Sequence, residues 1–140
     1  MPLVDLGSIP QVALPFMNED HRVEADLLNQ VAEAIDALAG GRGEKSQVLA
    51  RYDALLEHTE EHFERENQAM QRAGFPPYPV HRGEHDHVLA EMRQVRDAFE
   101  KTGALPPLQK YVKQAVPSWF VAHIESMDAV TAGFVTARGG

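Results

Sequence analysis

The sequence predicts an all-α protein: an up-down-up-down antiparallel four-helix bundle carrying an extended N-terminal arm. Three observations lead there. Apolar residues recur at three- and four-residue steps in four stretches. Short Gly- and Pro-containing segments separate those stretches, which makes successive helices antiparallel neighbours. No stretch alternates with period two, so no sheet is expected. The 140 residues suffice for one domain with its own core. The chain divides into an arm, 1–17, and a bundle, 18–140.

The arm holds Pro2, Pro10 and Pro15 among scattered apolar residues, and that apolar content predicts that it lies on the core. Asn18 is a suitable N-cap for a first helix over about 19–39, with Glu19 and Asp20 favouring its positive end. Ala25, Leu28, Ala32, Ile35 and Leu38 form its stripe, and Gly40-Gly41 stops it. The second helix covers about 44–72, with Val48, Tyr52, Leu55, Thr59, Ala69 and Met70 on one side; Gly74 and the Pro76–Pro79 turn end it. The third covers about 80–101 on Val88, Leu89, Met92, Val95 and Phe99. The fourth covers about 107–137, and Pro117 inside it predicts a kink or a break.

Composition narrows the function. Thirteen Lys and Arg stand against twenty-one Asp and Glu, a net charge of −8, which argues against nucleic acid as a partner. There is no cysteine, hence no thiol nucleophile and no Cys-ligated cluster. No apolar run is long enough to insert in a membrane, and no targeting segment is visible, so a cytoplasmic protein is expected. What stands out is seven histidines.

Each helical residue turns the chain by about 100°. On that wheel His21 faces the apolar stripe of the first helix. His62 faces that of the second, with Glu66 one turn further. His81 and His85 face that of the third, and His123 that of the fourth. His87 points outward, and His58 sits at the edge of its stripe. Core positions are normally apolar, and so many polar groups converging from four helices would be costly unless one partner satisfied them all. A metal centre does so. A second carboxylate from the fourth helix is harder to choose: Asp128 lies about 140° from His123 and Glu125 about 160° the other way. The donors are too many for one ion. Mixed imidazole and carboxylate favours iron, and the nitrogen content disfavours calcium and magnesium. No Glu-x-x-His pair falls at a core position, unlike ferritin-like di-iron proteins.

The ordered set His21, His62-Phe63-x-x-Glu66, His81-x-x-x-His85, His123-Ile124-x-x-x-Asp128 resembles the hemerythrin family in its bacterial single-domain form. The match spans about residues 17–134, with Tyr78 before His81 and Trp119 one turn before His123. Two departures stand in the arm, which has no Trp, and at Asn18, where the family commonly has Asp. The resemblance implies two Fe ions with an oxo or hydroxo bridge. His81, His85 and His123 would hold one, His21 and His62 the other, and Glu66 and Asp128 would bridge them. It also selects Asp128 over Glu125. The implied function is reversible binding of O2, held as hydroperoxide at the two-His iron, for storage, delivery or sensing. NO, azide and other small anions are further ligands of that type. Phe63, Trp119, Phe120, Ile124 and Met127 are the candidate walls of the O2 pocket. The competing classes are a di-iron enzyme reducing O2, peroxide or NO, and an iron storage or repair protein. No further acid or base is evident on the buried faces, which favours binding over catalysis.

Overall fold

The computed structural model describes residues 3–139, so Met1 and Pro2 of the arm lie outside the described residues. Four helical stretches follow the arm. Helix α1 is Pro15–Ala39, α2 is Lys45–Ala73 and α3 is Tyr78–Thr102. Helix α4 covers 105–137 as an unbroken series of segments: Leu105–Lys110, a π turn Tyr111–Ala115, Val116–His123, a second π turn Ile124–Asp128, and Ala129–Ala137. Among the described residues there is no strand. Helix α2 packs on α1 and α3, and α4 closes the bundle against α1, α2 and α3.

Prolines set the helix starts, and they do so earlier than expected. Pro15, Pro79 and Pro106 each sit in the first turn of a helix, where the N–H that proline lacks has no intrahelical partner anyway. Helix α1 therefore begins at Pro15, and its N-cap position is Leu14, not Asn18. The Asn18 side chain is used otherwise: its Oδ1 accepts from Val12 N–H and its Nδ2 donates to Val12 C=O, both at 2.9 Å. Asn29 does the same for Val4, at 2.6 and 2.8 Å. Two asparagines thus replace the backbone partners that an extended arm would otherwise lack. Helix α2 opens with a reciprocal Glu44–Gln47 capping box and closes on Gly74, whose φ of +67° suits glycine.

Pro117 does not break α4. It falls at the start of an α segment, directly after the turn in which Val116 N–H bonds to Tyr111 C=O, five residues back. The wider π turn gives the proline ring the room that a regular turn denies it.

The interior is layered. At one end Leu28, Ile35, Val48, Tyr52, Leu55, Met92, Phe99 and Val112 belong to the main apolar cluster. At the other end Leu14 and Met17 pack with Ala132 and Val135. The arm residue Ile9 covers Ala25, Phe120 and Ile124, so the arm does lie on the core. Between the two apolar layers all four helices turn polar side chains inward.

Candidate metal centre

That polar layer contains His21, His62, Glu66, His81, His85, His123 and Asp128, each 5% exposed or less. The five imidazoles converge through Nε2. His85 Nε2 is 3.1 Å from Glu66 Oε1, and His62 Nε2 is 3.1 Å from Glu66 Oε2. His81 and His123 Nε2 are each 3.1 Å from Asp128 Oδ1, while His21 Nε2 is 2.9 Å from Asp128 Oδ2. Each carboxylate thus shows one oxygen to a three-histidine group and the other to a two-histidine group. Two sets of donor atoms result, each compact enough to share an ion: Glu66, His81, His85, His123 and Asp128, and His21, His62, Glu66 and Asp128.

The protonation pattern says that a cation belongs there. His62 Nδ1–H donates to Asp20 Oδ2 at 2.9 Å and His85 Nδ1–H to Asn67 Oδ1 at 3.0 Å. The Thr131 hydroxyl donates to Met70 Sδ, so at 2.8 Å it accepts from His81 Nδ1–H. With Nδ1 carrying the proton, the neutral ring presents a lone pair at Nε2. Lone pairs facing carboxylate oxygens, and His81 Nε2 facing His123 Nε2 at 3.2 Å, repel unless positive charge lies between them. Both Glu66 oxygens, Asp128 Oδ1 and His85 Nε2 are buried without a hydrogen-bond partner. The donor set therefore fits two metal ions that share two carboxylates. The titration tendencies agree. Burial would raise both carboxyls, yet the histidines around them hold Glu66 low and Asp128 well below the usual carboxylate range. Burial would lower His62, yet Glu66 and Asp20 push it up to about 10.

The second π turn places Asp128, and not Glu125, beside the histidines. Ala129 N–H bonds to Ile124 C=O, five residues back, so a residue five positions on returns to the same face. Asp128 is thereby brought under His123 and buried, whereas Glu125 is exposed. His87 is exposed as expected. His58 stays outside the centre: its Nε2 donates to the Asp20 carbonyl oxygen at 3.1 Å, and its ring lies parallel to His62 with centroids 6.2 Å apart.

Four of the five expected wall residues flank the donors. Phe63 stacks on His85 at 3.9 Å and Trp119 on His123 at 4.5 Å. Phe120 meets His21 edge-on at 5.9 Å, and Ile124 is fully buried beside it. Met127 is the exception. It sits in the π turn, half-buried, and joins none of the apolar clusters, because the turn that brings Asp128 inward carries the residues before it outward.

The sequence reading missed the residues that orient the donors. Asp20 is clamped by Arg65, whose Nε and Nη2 each reach one of its oxygens at 2.8 Å. Burial would raise Asp20, but His62 and Arg65 bring it down to about 2. Asn67 and Thr131 follow Glu66 and Asp128 closely in the chain, and that proximity was the available signal. Thr59 was placed correctly on the inner face, yet its hydroxyl acts by donating to Glu24 Oε1 at 2.6 Å. Glu24, with its side chain only 12% exposed, is raised by burial to about 7 against that hydrogen bond.

Comparison with known proteins gives a consistent picture. Residues 12–135 match the family profile described as the hemerythrin HHE cation binding domain. A bacteriohemerythrin of Ralstonia nicotianae is 32% identical over 139 residues, 99% of this chain and 93% of the relative. A bacteriohemerythrin of Aquifex aeolicus is 30% identical, covering 93% of this chain and 95% of its own. Among solved structures, a hemerythrin point mutant superposes with a TM-score of 0.83 at 21% identity, covering 96% of this chain and 98% of the other. A wild-type hemerythrin superposes at 0.76 and 22% identity, covering 89% and 90%. At such identities these structures bear on the fold alone.

Proposed function

The chain belongs to the hemerythrin family, whose function is O2 binding at a non-haem di-iron centre, and we propose the residues that serve that function here. His81, His85 and His123 would hold one iron and His21 and His62 the other, with Glu66 and Asp128 shared between them and a solvent-derived oxo or hydroxo group completing the centre. The observation that carries this assignment is the two-faced placement of both carboxylates between a three-histidine and a two-histidine group. The protein is an O2 binder rather than an enzyme. When bound, the two ferrous ions supply the electrons that O2 accepts on binding and returns on release.

The rest is the work of the chain. The two-histidine group offers one donor fewer than the three-histidine group, so it is the side at which O2, or NO and small anions such as azide, would bind. Nδ1–H donors fixed by Asp20, Asn67 and Thr131 keep three rings in the tautomer that ligates. Phe63, Trp119, Phe120 and Ile124 keep bulk water from the donors, and a dry wall opposes loss of O2 in reduced form. No helix among the described residues is long and apolar enough to cross a membrane. We place the protein in the cytoplasm, where reducing conditions keep ferrous iron available, and read arm and bundle as one folding unit.

The test is an optical titration of the reduced, iron-loaded protein with O2, together with metal analysis. Two irons per chain, and a charge-transfer band that appears with O2 and vanishes on deoxygenation, are expected. One zinc and no iron per chain overturns the assignment. Irreversible bleaching with turnover of peroxide overturns the carrier reading in favour of an enzyme.

A further inference from the structure

Three of the five imidazoles are fixed through Nδ1, by Asp20, Asn67 and Thr131. His21 and His123 are not: the Nδ1 of each is buried without a hydrogen-bond partner. A ring with no acceptor behind it is free in tautomer and in rotation about its Cβ–Cγ bond unless packing holds it. His21 meets His62 and Phe120 edge-on only. His123, by contrast, lies flat under the Trp119 indole, with ring centroids 4.5 Å apart and planes 19° from parallel.

The indole is itself anchored. Its N–H donates to Glu84 Oε1 at 2.5 Å, the one side-chain hydrogen bond that Glu84 makes among the described residues. Hydrogen bonds to a carboxylate are stronger than those between neutral groups. Phe63, stacked on His85, meets the indole edge-on at 6.1 Å and steadies it from the side. Glu84 stands directly before His85 on α3, and Trp119 one turn before His123 on α4. Helix α3 thus supplies two donors of the three-histidine group and the anchor for the third.

We propose that Glu84 is a positioning residue for the metal centre: through the Trp119 indole it sets the plane of His123, as Asp20 sets that of His62 through Nδ1. This rests on the assignment of His123 as a ligand. An imidazole ligates through a lone pair that lies in the ring plane, so the ring must be held to within about 10–20° of the productive direction. A parallel aromatic face resists rotation out of that plane and leaves the proton position alone. His123 is therefore fixed in direction but not in tautomer. Losing the anchor loosens one donor of the three-histidine group and leaves the other four rings as they are.

The experiment has two readouts in the full chain. Ultraviolet resonance Raman scattering from Trp119, the one tryptophan in the sequence, reports the indole N–H hydrogen bond with or without iron. Iron release from the loaded protein to a strong chelator reports the grip of the centre. Glu84→Ala should move the Raman marker to that of an indole without its carboxylate. It should also release iron about tenfold faster, the low end for losing a group that orients a ligand. Glu84→Gln keeps an acceptor and should bring release back to within about twofold of the wild type, the tolerance of additive effects. Trp119→Phe keeps a ring over His123 but has no N–H, so it should release iron as fast as Glu84→Ala. Adding Glu84→Ala to Trp119→Phe should change nothing further. Glu91→Ala, which removes a carboxylate of the same helix that makes no bond to Trp119, should behave as the wild type. Release from Glu84→Ala within about twofold of the wild type overturns the proposal. So does a Raman marker that Glu84→Ala leaves unmoved, or Glu84→Gln releasing iron as fast as Glu84→Ala. So do effects that multiply in the double variant, the mark of two independent structural losses. Wild-type protein that takes up no iron overturns the ligand assignment and this proposal with it; an iron-loaded wild type whose release Glu84→Ala does not alter overturns this proposal alone.

Discussion

Replacing Asp20 by Asn removes a charge from behind a metal ligand without changing its size. In the structure Asp20 accepts from His62 Nδ1 at 2.9 Å and from two Arg65 nitrogens at 2.8 Å each. Its side chain is 13% exposed, while Arg65 is 43% exposed. Burial would raise its pKa, yet the hydrogen bonds from His62 and Arg65 bring it from the usual 3.8 to about 2. Each tenfold change in proton affinity is worth about 1.4 kcal/mol, so the contacts contribute about 2 kcal/mol before solvent screening of Arg65 and about 1–2 kcal/mol after it. Because the folded value is depressed, this stability is present above pH 3.8 and is lost as pH falls through about 2. The consequence for iron is larger than the consequence for folding, since the carboxylate behind a ligating histidine fixes its ring and raises its basicity. Losing such a partner typically costs about 10- to 100-fold in metal affinity. The assay is iron release from loaded protein to a strong chelator, read beside urea unfolding at neutral pH. Asp20→Asn should release iron at least about tenfold faster. Release within twofold of the wild type would refute the idea that Asp20 acts through His62.

Asp128→Ala should lose iron, whereas Glu125→Ala should keep two irons per chain; equal retention or equal loss, by metal analysis, contradicts the register set by the π turn. Deleting the exposed Glu125 should convert that turn to a regular one and leave Asp128 four positions after His123, about 40° round the helix, so the site should still hold two irons. Loss of iron as complete as in Asp128→Ala contradicts the reading of Glu125 as part of an inserted turn. His62→Ala should abolish the iron spectrum and His87→Ala should leave it intact. Glu24 titrates the opposite way from Asp20: burial raises it from 4.5 to about 7, so stability is lost as pH rises through 7. Glu24→Gln should remove that loss, gaining at most about 3 kcal/mol at pH 8 relative to pH 5 in urea unfolding. A wild-type stability that does not fall over that interval rules it out.

The four helices and five histidines were legible because both obey one rule, the 3.6-residue period of a helix against an apolar core. Asp128 escaped that rule. On a regular helix it stands well away from His123, and only the inserted residue of a π turn, which leaves no mark in composition, brings the two together. Family resemblance chose it where periodicity could not. The helix starts were misjudged for a related reason. Proline is read as a breaker, yet Pro15, Pro79 and Pro106 occupy first turns, where its missing N–H goes unused. Asp20 was invisible because its partners, His62 and Arg65, lie on another helix, more than forty residues along the chain. Asn18 shows the converse. It departs from the family at a position where an acid would be expected, and the structure puts its amide to use in tying down the arm, leaving His21 Nδ1 without a hydrogen-bond partner.

The polar layer between two apolar layers has a consequence for the life of the chain in the cell. Its donors come from every helix, and His21 and Asp128, 107 positions apart, meet in it. Iron held by these donors would act as a cross-link spanning almost the whole chain and would bind the folded form alone. By mass action the unfolded population shrinks as free iron rises, and grows when iron is scarce. A quality-control protease, which acts on opened chains, would remove the empty protein faster than the loaded one. The abundance of the O2 binder would then follow the iron supply with no regulator beyond its own folding equilibrium.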